Sequence, residues 1–379
     1  MDYQLKRKRC SGLRNTAVIS LAFIITLTQS VCTQTKPDKN KSDAIREALN
    51  EIVADEKAPG MIAAIISDEG IIAIGSAGVR KAGSDAAITD NDLVHLGSCT
   101  KAMTAAMLAT LVAERKLGWD MKLIEAIPEI KTSIHTDYHN ITLWQLLTHR
   151  AGVPSNPVDW NAHEDKEIKE RRLAIMIDNL SYPSAIKPGE FNYSNFGYMI
   201  AACMAEKITG QSWESLMKKR LFEPLCMFSA GFGEPDTGIS LFQPWGHNKS
   251  GGKWEASRTY DAEAIGPAGE IHCSVEDWAK FISLQLAAKN PILEGNFLKK
   301  LSEPVGFYAG GWGITGELEW AKGKVLTHNG SNGIWFASVL VAPKINRAFV
   351  VVTNSCDFSS TGNICSKIIT RLVKLDLNK

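Results

Sequence analysis

Four serines in this chain are followed three residues later by lysine: Ser98/Lys101, Ser184/Lys187, Ser215/Lys218 and Ser250/Lys253. On a helix, positions i and i+3 share a face, so the amine can reach the hydroxyl. Where the surroundings exclude water, the amine loses its charge readily and can take the hydroxyl proton. Context separates the four pairs. Ser184 leads into Lys187-Pro188-Gly189, a turn. Ser215 sits in an amphipathic helix whose Lys218 and Lys219 face water, and Ser250 falls in the Gly-rich loop "NKSGGKW". Ser98 stands at the first turn of the apolar helix in "LGSCTKAMTAAMLATLVAER", where Ala102, Met103, Ala105 and Ala106 give Lys101 an apolar setting. The free N–H groups of a helix N-terminus suit an oxyanion. The same residues also read as an ordinary N-cap and a solvated first-turn lysine.

Two further motifs carry chemistry. Tyr193-Ser194-Asn195 follows a Pro-Gly turn and precedes an apolar helix. A phenol there, its pKa lowered by a nearby cation, can shuttle a proton between nucleophile and leaving group, and Asn195 can bond Lys101 and a substrate carbonyl. The alternative makes Tyr193 a packed aromatic and Asn195 a helix N-cap. A second Tyr-x-Asn occurs at Tyr138-His139-Asn140. His328-Asn329-Gly330 ends a strand in "VLTHNGSNGIWFASVLVAP", where small residues let a substrate backbone approach. The N–H of Ser331 can supply a second oxyanion donor opposite that of Ser98. Read alone, this stretch is also a hairpin turn rich in Asn and Gly.

Ser98-Cys99-Thr100-Lys101, Tyr193-Ser194-Asn195 and His328-Asn329-Gly330, in this order and spacing, resemble the serine β-lactamase-like superfamily. The chain is most similar to its class C branch, which also holds D-alanyl-D-alanine carboxypeptidases, D-aminopeptidases and esterases. The flanks "HLGSCTKAMTA", "ITLWQLLTHRAGVP", "KPGEFNYSNFGY", "GPAGEIHCSVEDWAKF" and "HNGSNGIWFASVLVAP" are similar too, so the resemblance runs from about Met61 to Asn354. It implies a penicillin-binding-protein fold and no cofactor. It makes Ser98 the acylated nucleophile, has Lys101 and Tyr193 share the acid–base work, and has Asn195 orient substrate and Lys101. His328, Gly330 and Ser331 line the substrate site, with the backbone of Ser98 and Ser331 as the oxyanion hole. β-Lactamases of this branch usually place lysine where this chain has His328. A histidine holds a substrate carboxylate only when protonated, near pH 6.5 if unperturbed, which weakens the case for antibiotic hydrolysis. Family peptidases and esterases also carry histidine there. The expected activity is hydrolysis of a small ester, amide or peptide through an acyl-enzyme. A non-catalytic domain sensing penicillin or peptidoglycan fragments is the alternative.

These residues need a scaffold. Ser42 can cap a helix to about Asp55, and "GMIAAIIS" and "GIIAIGSAGV" read as strands joined by Asp68-Glu69-Gly70. From Trp119 to about Ala264 the pattern is helices and loops, among them "ITLWQLLTH", "EIKERRLAIMIDNL", "NFGYMIAACMAEKITG" and "SWESLMKKRLF". Ser274 to Ala288 reads as a helix, with Ser274 as N-cap. "GGWGITGEL", "KVLTHNG", "IWFASVLVAP" and "AFVVVTN" then read as antiparallel strands, before a last helix from about Gly362 to Val373. The expected fold is mixed α/β, of the α+β kind. An antiparallel sheet flanked by helices is built from both termini, with an inserted helical lobe and the active site in the cleft between them. The expected divisions are a signal segment over 1–32, a linker over 33–41 and a hydrolase domain over 42–379. Within that domain the α/β lobe takes about 42–115 and 275–379, and the helical lobe about 116–274.

With 45% apolar and 22% charged residues the 379-residue chain is globular in composition, and its net charge of +1 gives nucleic-acid binding little support. Lys6-Arg7-Lys8-Arg9 ahead of the apolar run Ala17 to Leu27 reads as a signal peptide, so a periplasmic or secreted location is expected. Cys32 adds a lipid-anchor reading, behind the poor lipobox Gln29-Ser30-Val31. The cysteines beyond it show no CxxC spacing, so no zinc site is indicated; Cys356 and Cys365 are a disulfide candidate, while Cys99 and Cys203 pack as small hydrophobes. His149 is expected to pack beside the site. Among the tryptophans, Trp245 and Trp312 are candidates to line the cleft, with Trp160 a loop anchor. "EDKEIKERR" reads as a solvated helix face.

Overall fold

The computed structural model describes residues 36–55, 57–235, 242–258, 262–287, 292–293 and 295–377. The expected signal segment over 1–32, with Cys32, lies outside the described residues. The first helix, α1 (Lys39–Ala54), is followed by the hairpin β1 (Gly60–Ser67) and β2 (Gly70–Gly78). Asp38, not Ser42, caps α1, because its carboxylate accepts from the Lys41 N–H. Ser42 lies inside the first turn, its hydroxyl on Asp38 O. Next come β3 (Leu93–His95), a 3-10 turn over Gly97–Cys99 and α2 (Thr100–Ala113). The middle of the chain holds α3 (Leu123–Ala126), α4 (Leu143–Leu147), α5 (Ile168–Leu180), α6 (Asn195–Thr209) and α7 (Trp213–Met217), which widens into a π-helical turn over Lys218–Phe222.

Strands interrupt the expected lobe of helices and loops: β4 (Gly231–Phe232), the hairpin β5 (Gly246–Ser250) and β6 (Lys253–Ser257), and β7 (Ile271–Ser274) after the short α8 (Gly266–Gly269). They are too short to show a two-residue hydrophobic period. The chain closes with α9 (Val275–Ser283), α10 (Gly295–Leu301), β8 (Gly313–Ile314), β9 (Leu326–Ser331), β10 (Phe336–Ala342), β11 (Arg347–Thr353) and α11 (Thr361–Leu377). Ser274 caps α9, its hydroxyl accepting from the Asp277 N–H. The helix stops at Ser283, and Ala288 lies outside the described residues.

Six strands form the main sheet in the order β2-β1-β11-β10-β9-β8, each pair antiparallel. β1 pairs with its hairpin partner on one side and with β11 on the other, from Met61↔Thr353 to Ile66↔Ala348. The sheet is therefore built from both ends of the chain, as expected. Successive side chains of a strand point to opposite faces. Met61, Ala63 and Ile65 pack with Phe349 and Val351 against Ile45 and Leu49 of α1 and Ile368 and Leu372 of α11. Ile62, Ala64 and Ile66 join Val350, Val352, Met103 of α2 and Phe281 of α9 in the larger core. Both faces are covered, which explains why "GMIAAIIS" is continuously apolar rather than alternating. Each such fully buried aliphatic side chain stabilises the fold by about 1.5–3 kcal/mol.

Two local expectations are corrected. Cys356 and Cys365 carry free thiols. Cys365 of α11 packs in the core shared with α1, while Cys356 Sγ accepts from Ser331 Oγ at 3.2 Å. The charge run in α5 is not solvated throughout: Arg172 is fully buried and Arg171 nearly so. Arg172 bonds the carboxylates of Glu206 and Glu214 and donates to Ala264 O at 3.0 Å and Glu263 O at 2.9 Å. A guanidinium is tolerated in the interior when its donors are met in this way.

Candidate active site

The turn that carries Ser98 is held by two strands. Leu96 N–H donates to Ile271 O at 2.9 Å, and β9 presses on the turn from the other side. A Cβ on Gly330 would lie 2.0 Å from Leu96 O and 2.8 Å from Ser98 N; one on Gly97, whose φ is +48°, would lie 2.3 Å from Ser331 N. Only glycine at both positions allows this approach. It brings the backbone N–H groups of Ser98 and Ser331 into one neighbourhood, as an oxyanion hole requires. Ser98 sits in the 3-10 turn, and the α-helix proper begins at Thr100.

Lys101 is fully buried in the first turn of α2. Its Nζ lies 3.0 Å from Ser98 Oγ, 2.7 Å from Asn195 Oδ1 and 2.8 Å from Ala268 O. Burial drives its pKa well below the ordinary 10.5. A neutral amine has two N–H donors and one lone pair. Asn195 Oδ1 and Ala268 O can only accept, so in that form they take the two N–H groups, and the lone pair faces the Ser98 hydroxyl. Asn195 is the first residue of α6; the cap is Ser194, whose hydroxyl accepts from the Gly197 N–H. The Asn195 amide is oriented by donating to Asn156 Oδ1 at 2.8 Å, a partner that no sequence motif announced. Ala268 is held in place through Thr104 Oγ1, which donates to Pro267 O at 2.8 Å, and through the Arg172 bonds to the segment before α8.

Tyr193 stacks beside this pair, its ring centroid 4.8 Å from Lys101 Nζ. Burial pushes its phenol pKa up, and the hydrogen bond with Ser98 only partly offsets this. The expected drop beside a cation does not occur, because burial of the phenol outweighs it. His328 is buried as well. Its Nδ1 faces Asn329 O at 2.7 Å and its Nε2 faces the Tyr308 hydroxyl at 2.9 Å. A carbonyl can only accept, which places the proton on Nδ1 and leaves Nε2 to accept from Tyr308. Burial, with Lys101 nearby, pulls the His328 pKa down to about 3. His328 is therefore a neutral ring at pH 7 and offers no charge to a substrate carboxylate. His149 completes the wall: it packs 4.4 Å from Tyr193 and 4.5 Å from Tyr308, and its Nδ1 accepts from Ser194 N–H at 3.0 Å.

A cavity of about 200 Å³ opens beside Ser98, lined by Asn195, Ser331, Asn332, Trp160, Ile265 and Glu270 among others. Trp160 is the indole on this cavity. Trp312 is buried in the core, and Trp245 lies under Lys81 Nζ at 3.8 Å. Of the expected site residues, Ser98, Asn195 and Ser331 border the cavity directly. Lys101, Tyr193, His328 and Gly330 stand behind them.

An antiparallel sheet with helices on both faces and a mainly helical insertion is the fold of the penicillin-binding-protein-like serine hydrolases. The Beta-lactamase family matches residues 45–363, and the chain belongs to that family. Penicillin-binding protein 4 of Amycolatopsis lactamdurans is 23% identical over 328 residues, covering 82% of this chain and 84% of that one. Among solved structures, the octameric penicillin-binding protein homologue from Pyrococcus abyssi superposes with a TM-score of 0.73 at 24% identity, covering 89% of this chain and 77% of that one. The D-amino acid amidase from Ochrobactrum anthropi SV3, solved with L-phenylalanine amide, gives a TM-score of 0.73 at 19% identity, covering 89% and 99%. Both structural likenesses are likenesses of fold.

Proposed function

We propose that this chain is an exported hydrolase that acylates Ser98 with a small ester, amide or peptide and then hydrolyses the acyl-enzyme. The observation that carries this reading is the Lys101 amine, buried and 3.0 Å from Ser98 Oγ with its two N–H groups already engaged. Ser98 Oγ attacks the carbonyl carbon while its proton passes to Lys101 Nζ. As the new O–C bond forms, the carbonyl electron pair moves onto oxygen, where the N–H groups of Ser98 and Ser331 receive it. The C–N or C–O bond then breaks. Tyr193, a neutral phenol in contact with Ser98, passes a proton to the departing nitrogen or oxygen and recovers one from Lys101. Water attacks the ester by the reverse proton route and frees Ser98.

The neutral His328 argues for substrates that are not anchored by a carboxylate, hence for peptides, amides or esters over β-lactams. The relative named as a penicillin-binding protein and the amidase fold agree with acyl transfer on such groups. Lys6 to Arg9 ahead of an apolar run supports export. A fluorophosphonate probe tests the reading. It should label Ser98, and p-nitrophenyl ester turnover should vanish in Ser98→Ala. Folded protein that takes no label and turns over no ester would overturn the proposal.

A further inference from the structure

Among the described residues, the cavity beside Ser98 holds one ionisable side chain that the chemistry above leaves unused. Glu270 follows two residues after Ala268, whose carbonyl accepts from Lys101. Its backbone is fixed on both sides: its N–H donates to Gly266 O at 3.1 Å, and its C=O accepts from Gly233 N–H at 2.8 Å. Among the described residues its carboxylate has one ion-pair neighbour, His95 Nε2, at 3.9 Å, which is too long for a hydrogen bond. His95 Nδ1 accepts from Gly97 N–H at 3.2 Å, so its Nε2 carries a proton. No lysine or arginine lines the cavity among the described residues. Lys101, which does not line the cavity, has its amine taken up by Ser98, Asn195 and Ala268, and burial pulls the His328 pKa down to about 3. Among the described residues that line it, the cavity therefore has an acidic side chain and no lysine or arginine. Trp160 also lines the cavity and is 37% exposed, and an indole attracts cations. At about 200 Å³ the space is smaller than the roughly 300–1,000 Å³ of pockets for drug-sized ligands, which suits a small acyl group.

Resting on the serine hydrolase reading, we infer that Glu270 selects substrates whose acyl group carries an ammonium. These are amino-acid amides, amino-acid esters or short peptides with a free amino terminus. The aminoacyl group passes to Ser98 Oγ as the C–N or C–O bond breaks, and the ammonium stays in the cavity against Glu270 and Trp160. Substrates with a carboxylate at that place are repelled.

The test is a charge series of alanine p-nitroanilides with the amino group free, acetylated or succinylated, each as D and L enantiomers, alongside p-nitrophenyl acetate. For the preferred enantiomer, kcat/KM should fall about tenfold from free to acetylated, and again to succinylated, the size of one charge-assisted contact per step. The ratio within one protein sample does not depend on how much of it is folded. In Glu270→Gln the series should collapse to within about threefold, and Glu270→Asp should keep the wild-type order. Equal rates, a reversed order, an unchanged series in Glu270→Gln, or no anilide cleavage while Ser98 still hydrolyses p-nitrophenyl acetate would each overturn the inference and leave the hydrolase reading standing. Failure of every substrate and of fluorophosphonate labelling would overturn both.

Discussion

Ser98–Lys101 and Ser215–Lys218 share a spacing and a helical backbone, but they differ in what surrounds them. Lys218 is exposed at the start of the π-helical turn, its ammonium 5.7 Å from the Phe232 ring. Ser215 serves the local helix, its N–H donating to the Ser212 cap. Lys101 is enclosed by Asn195, Ala268 and aromatic rings, and its amine faces a serine hydroxyl. The two remaining pairs resemble the surface case. The Ser184 hydroxyl is taken up by Gly152 O and Ile186 O, and Ser250 and Lys253 close an exposed hairpin. A three-residue spacing recurs cheaply. Removal of water turns it into a base and a nucleophile.

The largest effect should come from breaking the buried pair. Ser98→Ala removes covalent catalysis, and Lys101→Ala should lower kcat for p-nitrophenyl ester hydrolysis by about 10³-fold. Lys101→Arg should be as poor as alanine, because a guanidinium stays charged. An arginine variant near the wild-type rate would show that no base is needed there. Next is the glycine contact that joins β9 to the nucleophile turn. Gly330→Ala puts a Cβ 2.0 Å from Leu96 O and must displace one of the two segments. A loss of about 10²-fold in kcat, the worth of one misplaced oxyanion donor, should accompany a lowered Tm in a thermal melt.

A smaller effect follows from the neutral histidines. His149 and His328 have pKa values of about 2 and 3 in the fold against an ordinary 6.5. Between those limits the unfolded chain takes up protons that the folded chain refuses, so stability falls as pH drops below 6.5. The urea midpoint should decline from pH 7 to pH 5, above the carboxylate range, and His328→Gln should flatten that decline. The smallest effect belongs to the surface pair. Ser215→Ala and Lys218→Ala should leave ester turnover within about twofold and stability within about 0.5 kcal/mol. A larger loss of turnover would break the comparison.

The sheet could be read in the sequence because β1, β10 and β11 are long and continuously apolar, buried on both faces. The site residues could be read because each sits at the edge of a strongly apolar element: Ser98 before α2, Asn195 at the start of α6, His328 on β9. Their charge states could not. Tyr193 beside a lysine suggests a lowered phenol pKa, and burial of the ring raises it instead. Arg172 reads as surface because its local sequence is dense in charge; its partners Glu206 and Glu214 come from α6 and α7. His149, Asn156, Tyr308 and Glu270 lie in loops or at element ends without periodicity, so their convergence on Ser98 exists only in three dimensions. Asp38 displaced Ser42 as the cap of α1 because both residue types suit that position and local geometry chose between them.

The claim that Lys101 works as a neutral base is tested most directly by the pH dependence of Ser98 acylation by a fluorophosphonate, read as a bimolecular rate constant. With the Lys101 pKa held well below 10.5 by burial, the rate should rise at low pH and reach a plateau well before 10.5. The raised pKa of Tyr193 should keep that plateau flat to pH 10. A rate that climbs about tenfold per pH unit all the way to pH 10.5 would mean that Lys101 keeps its proton in the fold, and would contradict the account.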